Sequence, residues 1–364
     1  MYLDIGEEVR SIHLHLQASH LDRHRANGGH GMQAAKVRIG LGVITHRRPG
    51  GLVRLVESFG QMKVPDGVEC TVLIAENDDV PTVDAHLETL RAKVPFDVQL
   101  SFEKERGIPF ARNRVLDMAH EGKFDFLTFV DDDQIVHQDW LTMLYATIEG
   151  RALELVGGPW SVIAEPNAAL SKQNKFVLRY YLDRSVELQT SKALHTCTPK
   201  EAKVHIYTHN WIVRLSSQKR LGIRFDETYR FTGGSDTKFY ADVAAAGGLT
   251  GWSSDARVTE IWPAKRLTFS YLYRRRRDQT TMNYVRAGHR PKLKTVLLMS
   301  NRCMIFGFFK IVRAVFDDYK SFAEVVHSVA ELSGVIRARR GLSSTLYARS
   351  DEVNDDPVQD FLRQ

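Results

Sequence analysis

Apolar runs alternate with helical patterns along the first half of the chain. Val37–Thr45 is an apolar run that ends in a polar loop, and residues 70–75 and 124–130 repeat this pattern, as buried strands do. Residues 96–102 are predicted as a further strand between them. Apolar residues at three-to-four spacing predict the intervening helices. These helices cover residues 52–59, 83–92, 109–120 and 139–148, and a later one is expected at 237–246. The alternation favours an α/β fold with a mostly parallel, Rossmann-like sheet flanked by helices.

Polar residues follow three of the predicted strands at the point where each strand ends. They occupy positions 45–47, 76–78 and 131–133. In open parallel sheets, ligands bind beyond the carboxyl ends of the strands. The sequence therefore predicts a binding site at this edge of the sheet.

The third of these positions is an acidic turn, which we define as Asp131, Asp132 and Asp133. Three adjacent carboxylates repel one another, and a hard divalent cation would neutralise them through oxygen ligands. Mg²⁺ or Mn²⁺ would also attract a nucleotide diphosphate. The alternative is an ordinary acidic turn exposed to solvent.

Charge is distributed unevenly along the 364 residues. Positions 263–349 contain 18 Lys and Arg against 5 Asp and Glu, a local charge of +13, although the whole chain carries only +6. This basic segment favours a polyanionic partner, such as anionic lipid, a diphosphate or nucleic acid. Cys70, Cys197 and Cys303 lie far apart, which argues against a disulfide framework or a zinc ribbon.

Four segments are expected along the chain: a flexible leader at 1–35, a catalytic domain at 36–262, a basic amphipathic helical region at 263–349 and an acidic tail at 350–364. The leader lacks the uninterrupted apolar core of a signal peptide. Within the basic region, positions 295–316 are apolar but interrupted by basic residues. That mixture favours a helix in the plane of a membrane surface over a spanning one, and a helix packed on the catalytic domain is the alternative.

Six segments in register carry a family resemblance. They are VRIGLGVITHRRP, VLIAENDD, ERGIPFARNRVLDMA, FLTFVDDDQ, GGPW and RFTGGSDTKFYADVAAAGG. In these segments residues 37–262 resemble the family 2 glycosyltransferases of the GT-A fold, particularly the bacterial exopolysaccharide branch that includes succinoglycan-building enzymes. The resemblance implies a nucleotide-sugar donor and a divalent metal, Mn²⁺ or Mg²⁺.

The resemblance also implies roles for residues on the donor side. Thr45 would border the base, Glu76 stands where the family usually has Asp against the nucleoside, and Arg112 would approach the base or diphosphate. Asp131 and Asp133 fit the D-x-D motif as metal-site residues, with Asp131 nearer the ribose and Asp133 the direct ligand.

On the acceptor side, the segment Gly233, Gly234, Ser235 and Asp236 matches a family motif usually written GGED. Asp236 aligns with the general base, and one displacement opposite the leaving diphosphate would invert the anomeric carbon. Ser235 departs from the family Glu. The alternative for Asp236 is an N-cap of the helix predicted at 237–246.

Weaker signals complete the expected site. Trp160 could stack on a sugar or pack in the core, and Asn210 with Trp211 could line the donor sugar. Arg274 and Arg277, in a run of four arginines, are expected to bind the donor.

The expected function is an inverting hexosyltransferase that uses a UDP-hexose and a lipid-linked saccharide acceptor. It is expected to be non-processive, because the QxxRW signature of processive synthases is missing. It is expected in the cytoplasm, peripheral at the anionic inner face of the plasma membrane. A catalytically impaired sugar-binding relative is the alternative. No nucleic-acid partner is expected because no recognition signature is present, and neither a dinucleotide fingerprint nor a nucleotidylyltransferase loop fits.

Overall fold

A computed structural model describes residues 36–198, 200–201, 204–230, 233–314 and 320–342. The expectations for the leader at 1–35 and the tail at 350–364 lie outside these residues. Within them, seven strands form the central sheet in the order β3-β2-β1-β4-β8-β6-β9, and a smaller sheet has the order β5-β10-β7. The strands are β1 Val37–Thr45, β2 Val68–Glu76, β3 Asp97–Phe102, β4 Phe126–Asp131, β5 Gln134–Val136, β6 Leu155–Gly157, β7 Trp160–Ala164, β8 Asn210–Arg214, β9 Thr250–Trp252 and β10 Val258–Trp262.

The four strands predicted in the first half of the chain are confirmed as β1 to β4. They pair in parallel, with β1 between β2 and β4, and most of their residues are buried. The sheet is mostly parallel, as predicted. It also contains an antiparallel strand, β8, which pairs with β4 and β6.

Helices cover the sheet and extend beyond it. They are α1 Pro49–Gln61, α2 Leu87–Arg91, α3 Ile108–Glu121, α4 Trp140–Gly150, α5 Lys172–Ala193, α6 Leu215–Leu221, α7 Ser235–Ala245, α8 Phe269–Arg286, α9 Leu293–Ala314 and α10 Lys320–Arg339. The helix predicted at 83–92 is instead a 3-10 turn, Asp84–His86, followed by the single short helix α2.

Two buried hydrophobic clusters pack against the two faces of the sheet. On one face, Leu52, Leu55 and Phe59 of α1 pack with Trp140 of α4 against β1 and β4. On the other face, Trp211 of β8 lies among aromatic rings contributed by β4, α7 and the loop before α7. Both tryptophans are completely buried, so these clusters fix the strands whose ends form the site.

The basic C-terminal region is helical, as predicted. Helix α10 packs against α8 and α9. Along α9 a narrow stripe faces α10, in which Cys303 Sγ donates a hydrogen bond to the carbonyl of Ser328 and Lys310 pairs with Glu324 at 3.0 Å. The rest of α9 is exposed. In the described residues, Leu293–Arg313 is the one helix long and apolar enough to cross a membrane, with a mean hydropathy of 1.4.

Candidate active site

Three strand ends lie side by side at the carboxyl edge of the sheet. In the register of β1, Thr45 pairs with Glu76 of β2, and Ile44 pairs with Asp131 of β4. Thr45 Oγ1 donates a hydrogen bond of 2.7 Å to Asp132 Oδ2. The structure therefore brings Thr45 directly onto the acidic turn.

The first turn of α1 touches the acidic turn from the side. A Cβ atom on Gly51 would lie 2.6 Å from the carbonyl oxygen of Asp132, so only glycine allows this approach. Just before α1, Arg48 Nη1 donates to Asp132 Oδ1 at 3.2 Å and to Asp133 Oδ2 at 3.3 Å. A residue that the sequence did not single out thus neutralises part of the acidic turn.

A second arginine also contacts Asp133. Arg266, just after β10, donates from Nη1 to Asp133 Oδ2 at 3.1 Å and to Glu260 Oε1 at 3.3 Å. Glu260 belongs to β10 of the smaller sheet, and its pKa is raised, first by burial and then by Asp133. Sequence analysis did not identify Glu260 or Arg266, because a short strand and a single basic turn contain no recognisable motif.

Asp131 differs from its two neighbours. No ion pair involves Asp131 in the part of the chain that the structure describes. Burial raises its pKa to about 7, Arg112 acts in the opposite direction, and Asp133 and Glu260 add to the increase. A cation at this carboxylate would favour its ionised form.

Arg112 connects the acidic turn to α7. Its Nη1 donates to Ser235 Oγ at 2.9 Å, and its guanidinium lies 5.6 Å from the ring centre of Phe225. Arg112 Nε is buried without a hydrogen-bond partner among the described residues. The serine that departs from the family motif therefore holds Arg112 without neutralising it.

Helix α7 begins at the paired glycines. Gly233 and Gly234 have φ values of 66° and 90°, a backbone conformation that favours glycine. Gly234 is the N-cap, so the N-cap alternative for Asp236 is wrong. Asp236 lies in the first helical turn, half-buried, and accepts a 2.8 Å hydrogen bond from the amide of Thr237. The positive end of the helix dipole stabilises a carboxylate there.

Glu76 is completely buried, and both of its oxygens are occupied. They accept hydrogen bonds from the amides of Thr82, at 2.8 Å, and Val83, at 3.1 Å, and from the Thr82 hydroxyl. These bonds shape the loop after β2. The nucleoside contact expected of Glu76 stays a prediction.

An aromatic row lies beyond the acidic turn. The half-buried Trp160 ring meets His209 edge to face at 5.8 Å, and His209 stacks on Tyr207 at 5.6 Å. Burial lowers the pKa of His209 to about 3, and the charges of Lys192, Arg112 and Arg275 act in the same direction. His209 is therefore neutral at physiological pH, and it was missed because a lone histidine has no sequence signal.

The arginine run of α8 points in several directions. Arg274 is exposed, and Arg277 pairs with Asp278 at 2.8 Å. Arg275 instead lies 5.3 Å from the ring centre of Trp262, and its charge acts on Glu260. The described structure thus brings Arg275 toward the acidic turn, and donor binding by Arg274 and Arg277 stays a prediction.

The donor-sugar role considered for Asn210 and Trp211 is not supported. The Asn210 side chain is buried and bonds to Trp140 Nε1 and to the carbonyls of Pro159 and Ala256. Trp211 is completely buried in the core. Both residues hold β8 in place.

The acidic turn fits a metal shared with a ligand. Among the described residues, no three His, Cys, Asp or Glu side chains are grouped to hold a metal ion by themselves. Mg²⁺ commonly takes only one or two protein carboxylates and completes its shell with substrate phosphates and water. Asp131 and Asp133 supply oxygen donors of this kind.

No family model matches the chain. The succinoglycan biosynthesis protein ExoM of Rhizobium meliloti (strain 1021) is 33% identical to it over 243 residues, which cover 66% of this chain and 72% of that protein. Among solved structures, the mannosyltransferase PcManGT from Pyrobaculum calidifontis, in complex with GDP-Man and Mn²⁺, has a TM-score of 0.56 at 14% identity over 90% of this chain and 98% of its own. TarS of S. aureus, in complex with UDP-GlcNAc, has a TM-score of 0.46 at 13% identity over 84% and 93%.

Proposed function

The chain belongs to the glycosyltransferases of the GT-A type, and we propose that it transfers a hexose from a nucleotide sugar to an acceptor hydroxyl in surface or exopolysaccharide synthesis. The observation that carries this proposal is the acidic turn at the joined ends of β1 and β4, linked through Arg112 to the first turn of α7, which carries Asp236. This arrangement supports the proposal because it puts the acidic turn and the Asp236 carboxylate on neighbouring elements.

In the proposed reaction, Asp236 accepts the proton of the acceptor hydroxyl as its oxygen attacks the anomeric carbon. The new glycosidic bond forms on the face opposite the leaving group, the bond to the nucleoside diphosphate breaks with its electron pair, and the configuration inverts. The Asp236 carboxylate is suited to this task because it lies half-buried in the first turn of α7, where an acceptor can reach it.

Donor binding is assigned to the groups around the acidic turn. A divalent metal held by Asp131 and Asp133 would stabilise negative charge on the leaving diphosphate. Arg112, with its unpartnered Nε, would contact the donor's anionic part. Trp160 offers a half-exposed ring on which a sugar can stack.

The donor is expected to be a UDP-hexose, in line with the family 2 resemblance, and one sugar is expected per encounter. A thermal-shift screen of UDP-, GDP- and dTDP-sugars with Mn²⁺ tests this choice. We expect the UDP-sugars to raise the melting temperature most. A shift for another nucleotide alone would replace UDP, and no shift for any of them would contradict donor binding.

The acceptor is proposed to be a saccharide carried by a lipid at the cytoplasmic membrane surface. Helix α9 supports this proposal because its apolar side chains are exposed beside basic ones. Phe306, Phe308 and Phe309 are 56%, 67% and 66% exposed. A bilayer with anionic head groups would cover the rings and attract the cations.

A further inference from the structure

We infer that Arg266, assisted by Arg48, is a resident counter-cation of the donor site, which a metal ion must displace from Asp133 before the nucleotide can bind tightly. This inference rests on the proposed function and concerns how the site is kept ready for its ligands. Arg266 is a positioning residue in this account.

The geometry places a cationic nitrogen at the Asp133 carboxylate, for which a metal ion would compete. Arg266 Nη1 lies between Asp133 Oδ2, at 3.1 Å, and Glu260 Oε1, at 3.3 Å. Arg48 Nη1 reaches the same Asp133 oxygen at 3.3 Å. Both members of the Arg266–Asp133 pair are largely buried, with 19% and 17% of their side chains exposed, so water screens this attraction little.

With every group counted as ionised, the formal charges at the site cancel. The carboxylates are those of the acidic turn and Glu260, and the facing guanidinium groups are Arg48, Arg112, Arg266 and Arg275. A divalent cation alone would add two positive charges to this balanced set, and a nucleoside diphosphate sugar alone would add two negative ones. Together they add no net charge.

Two consequences follow for binding. Metal and nucleotide should each bind weakly alone and strengthen one another, and this coupling is equal in both directions. Once a metal occupies the Asp133 carboxylate, the Arg266 guanidinium is available to the diphosphate, since it already lies at the metal's position. Removing Arg266 should therefore strengthen binding of the metal alone while weakening binding of the nucleotide.

Electron paramagnetic resonance of free Mn²⁺ measures the first effect directly and needs no donor. We expect Arg266→Gln to bind Mn²⁺ alone about five- to tenfold more tightly than the wild type. Arg48→Gln should change in the same direction by less, because Arg48 is 44% exposed. Arg266→Lys, which keeps the charge, should resemble the wild type. Arg257→Gln is the matched control, because Arg257 pairs with Asp255 on the surface near β10.

A second arm repeats the titrations with UDP and with GDP. We expect the nucleotide to strengthen Mn²⁺ binding in the wild type and to do so less in Arg266→Gln. The inference is overturned if neither folded glutamine variant binds Mn²⁺ alone more tightly than the wild type. Loss of nucleotide binding in the wild type would instead overturn the proposed function, and the Mn²⁺-only arm would still decide the role of Arg266.

Discussion

The acidic turn contains buried carboxylates and helix α9 contains exposed apolar rings, and both are energetically unfavourable without a partner. The two regions differ in where that partner comes from. Around the acidic turn, carboxylates are buried and matched by guanidinium groups of the same chain. On α9, apolar rings are left in solvent beside basic side chains. We therefore expect the turn to receive a small charged ligand and α9 to bind a large apolar and anionic surface from outside.

This contrast separates the groups proposed for sugar transfer from the groups proposed for membrane binding. Groups proposed to act on substrate belong to strand ends and to the first turn of α7, which the two buried clusters hold in place. Groups that would bind a membrane lie on a helix that contacts the rest of the chain mainly through α10. Mutations in the two regions should consequently change different measurements.

The largest effect is expected at the proposed base. Asp236→Asn should lower transfer by about 10²–10⁴-fold, because an amide cannot accept the proton, while donor affinity stays near the wild-type value. Initial rates measure the transfer, and calorimetric titrations measure the donor affinity. Asp242→Asn, in the same helix and paired with Lys238, is the control and should remain active. Near-normal turnover of a folded Asp236→Asn protein would remove Asp236 from the mechanism.

A comparison of two aromatic residues tests the division between core and surface. Trp211→Ala should lower the free energy of unfolding by about 3–5 kcal/mol, because it leaves a cavity beside Phe239. Phe309→Ala should change it by no more than about 0.5 kcal/mol, since the ring is 66% exposed. Urea denaturation measures both values. A large loss for Phe309→Ala would mean that the α9 face packs against protein.

Membrane binding should combine two contributions that salt separates. Phe308→Ser should weaken liposome binding by up to about 2 kcal/mol at any salt concentration, because it removes an exposed apolar side chain. Arg302→Gln should cost about 1 kcal/mol on anionic vesicles, and only at low salt. Co-sedimentation with neutral and anionic liposomes distinguishes these effects. Indifference of the wild type to anionic vesicles at low salt would exclude the membrane role of α9.

A further prediction concerns pH. The pKa of His209 is lowered from 6.5 to about 3, so the stability that its neutral form contributes is present above pH 6.5 and is lost progressively as the pH falls toward 3. Between about pH 7 and about pH 4.5, the wild type should lose more unfolding free energy than His209→Gln does. Equal losses in the two proteins would show that His209 is solvated when folded.

Much of the fold could be predicted because β1, β2 and β4 are largely apolar runs, and such runs depend little on distant contacts. The paired glycines before α7 were found through the resemblance of their segment to a family motif. Short strands such as β10 carry only five residues and no period, so Glu260 could not be placed. The partners of Asp133 could not be predicted either. Arg48 and Arg266 are each more than 80 residues away from Asp133 in sequence, so only the folded chain brings them into contact.

The central claim is that the acidic turn binds a nucleotide sugar together with a divalent metal. Calorimetric titration of UDP-glucose into the wild type with Mn²⁺, and again with excess EDTA, tests it most directly, with Asp133→Asn measured alongside. We expect EDTA to lower the affinity of the wild type by about tenfold or more, and Asp133→Asn to bind weakly with or without metal. Equal affinity of the wild type in both conditions would contradict it.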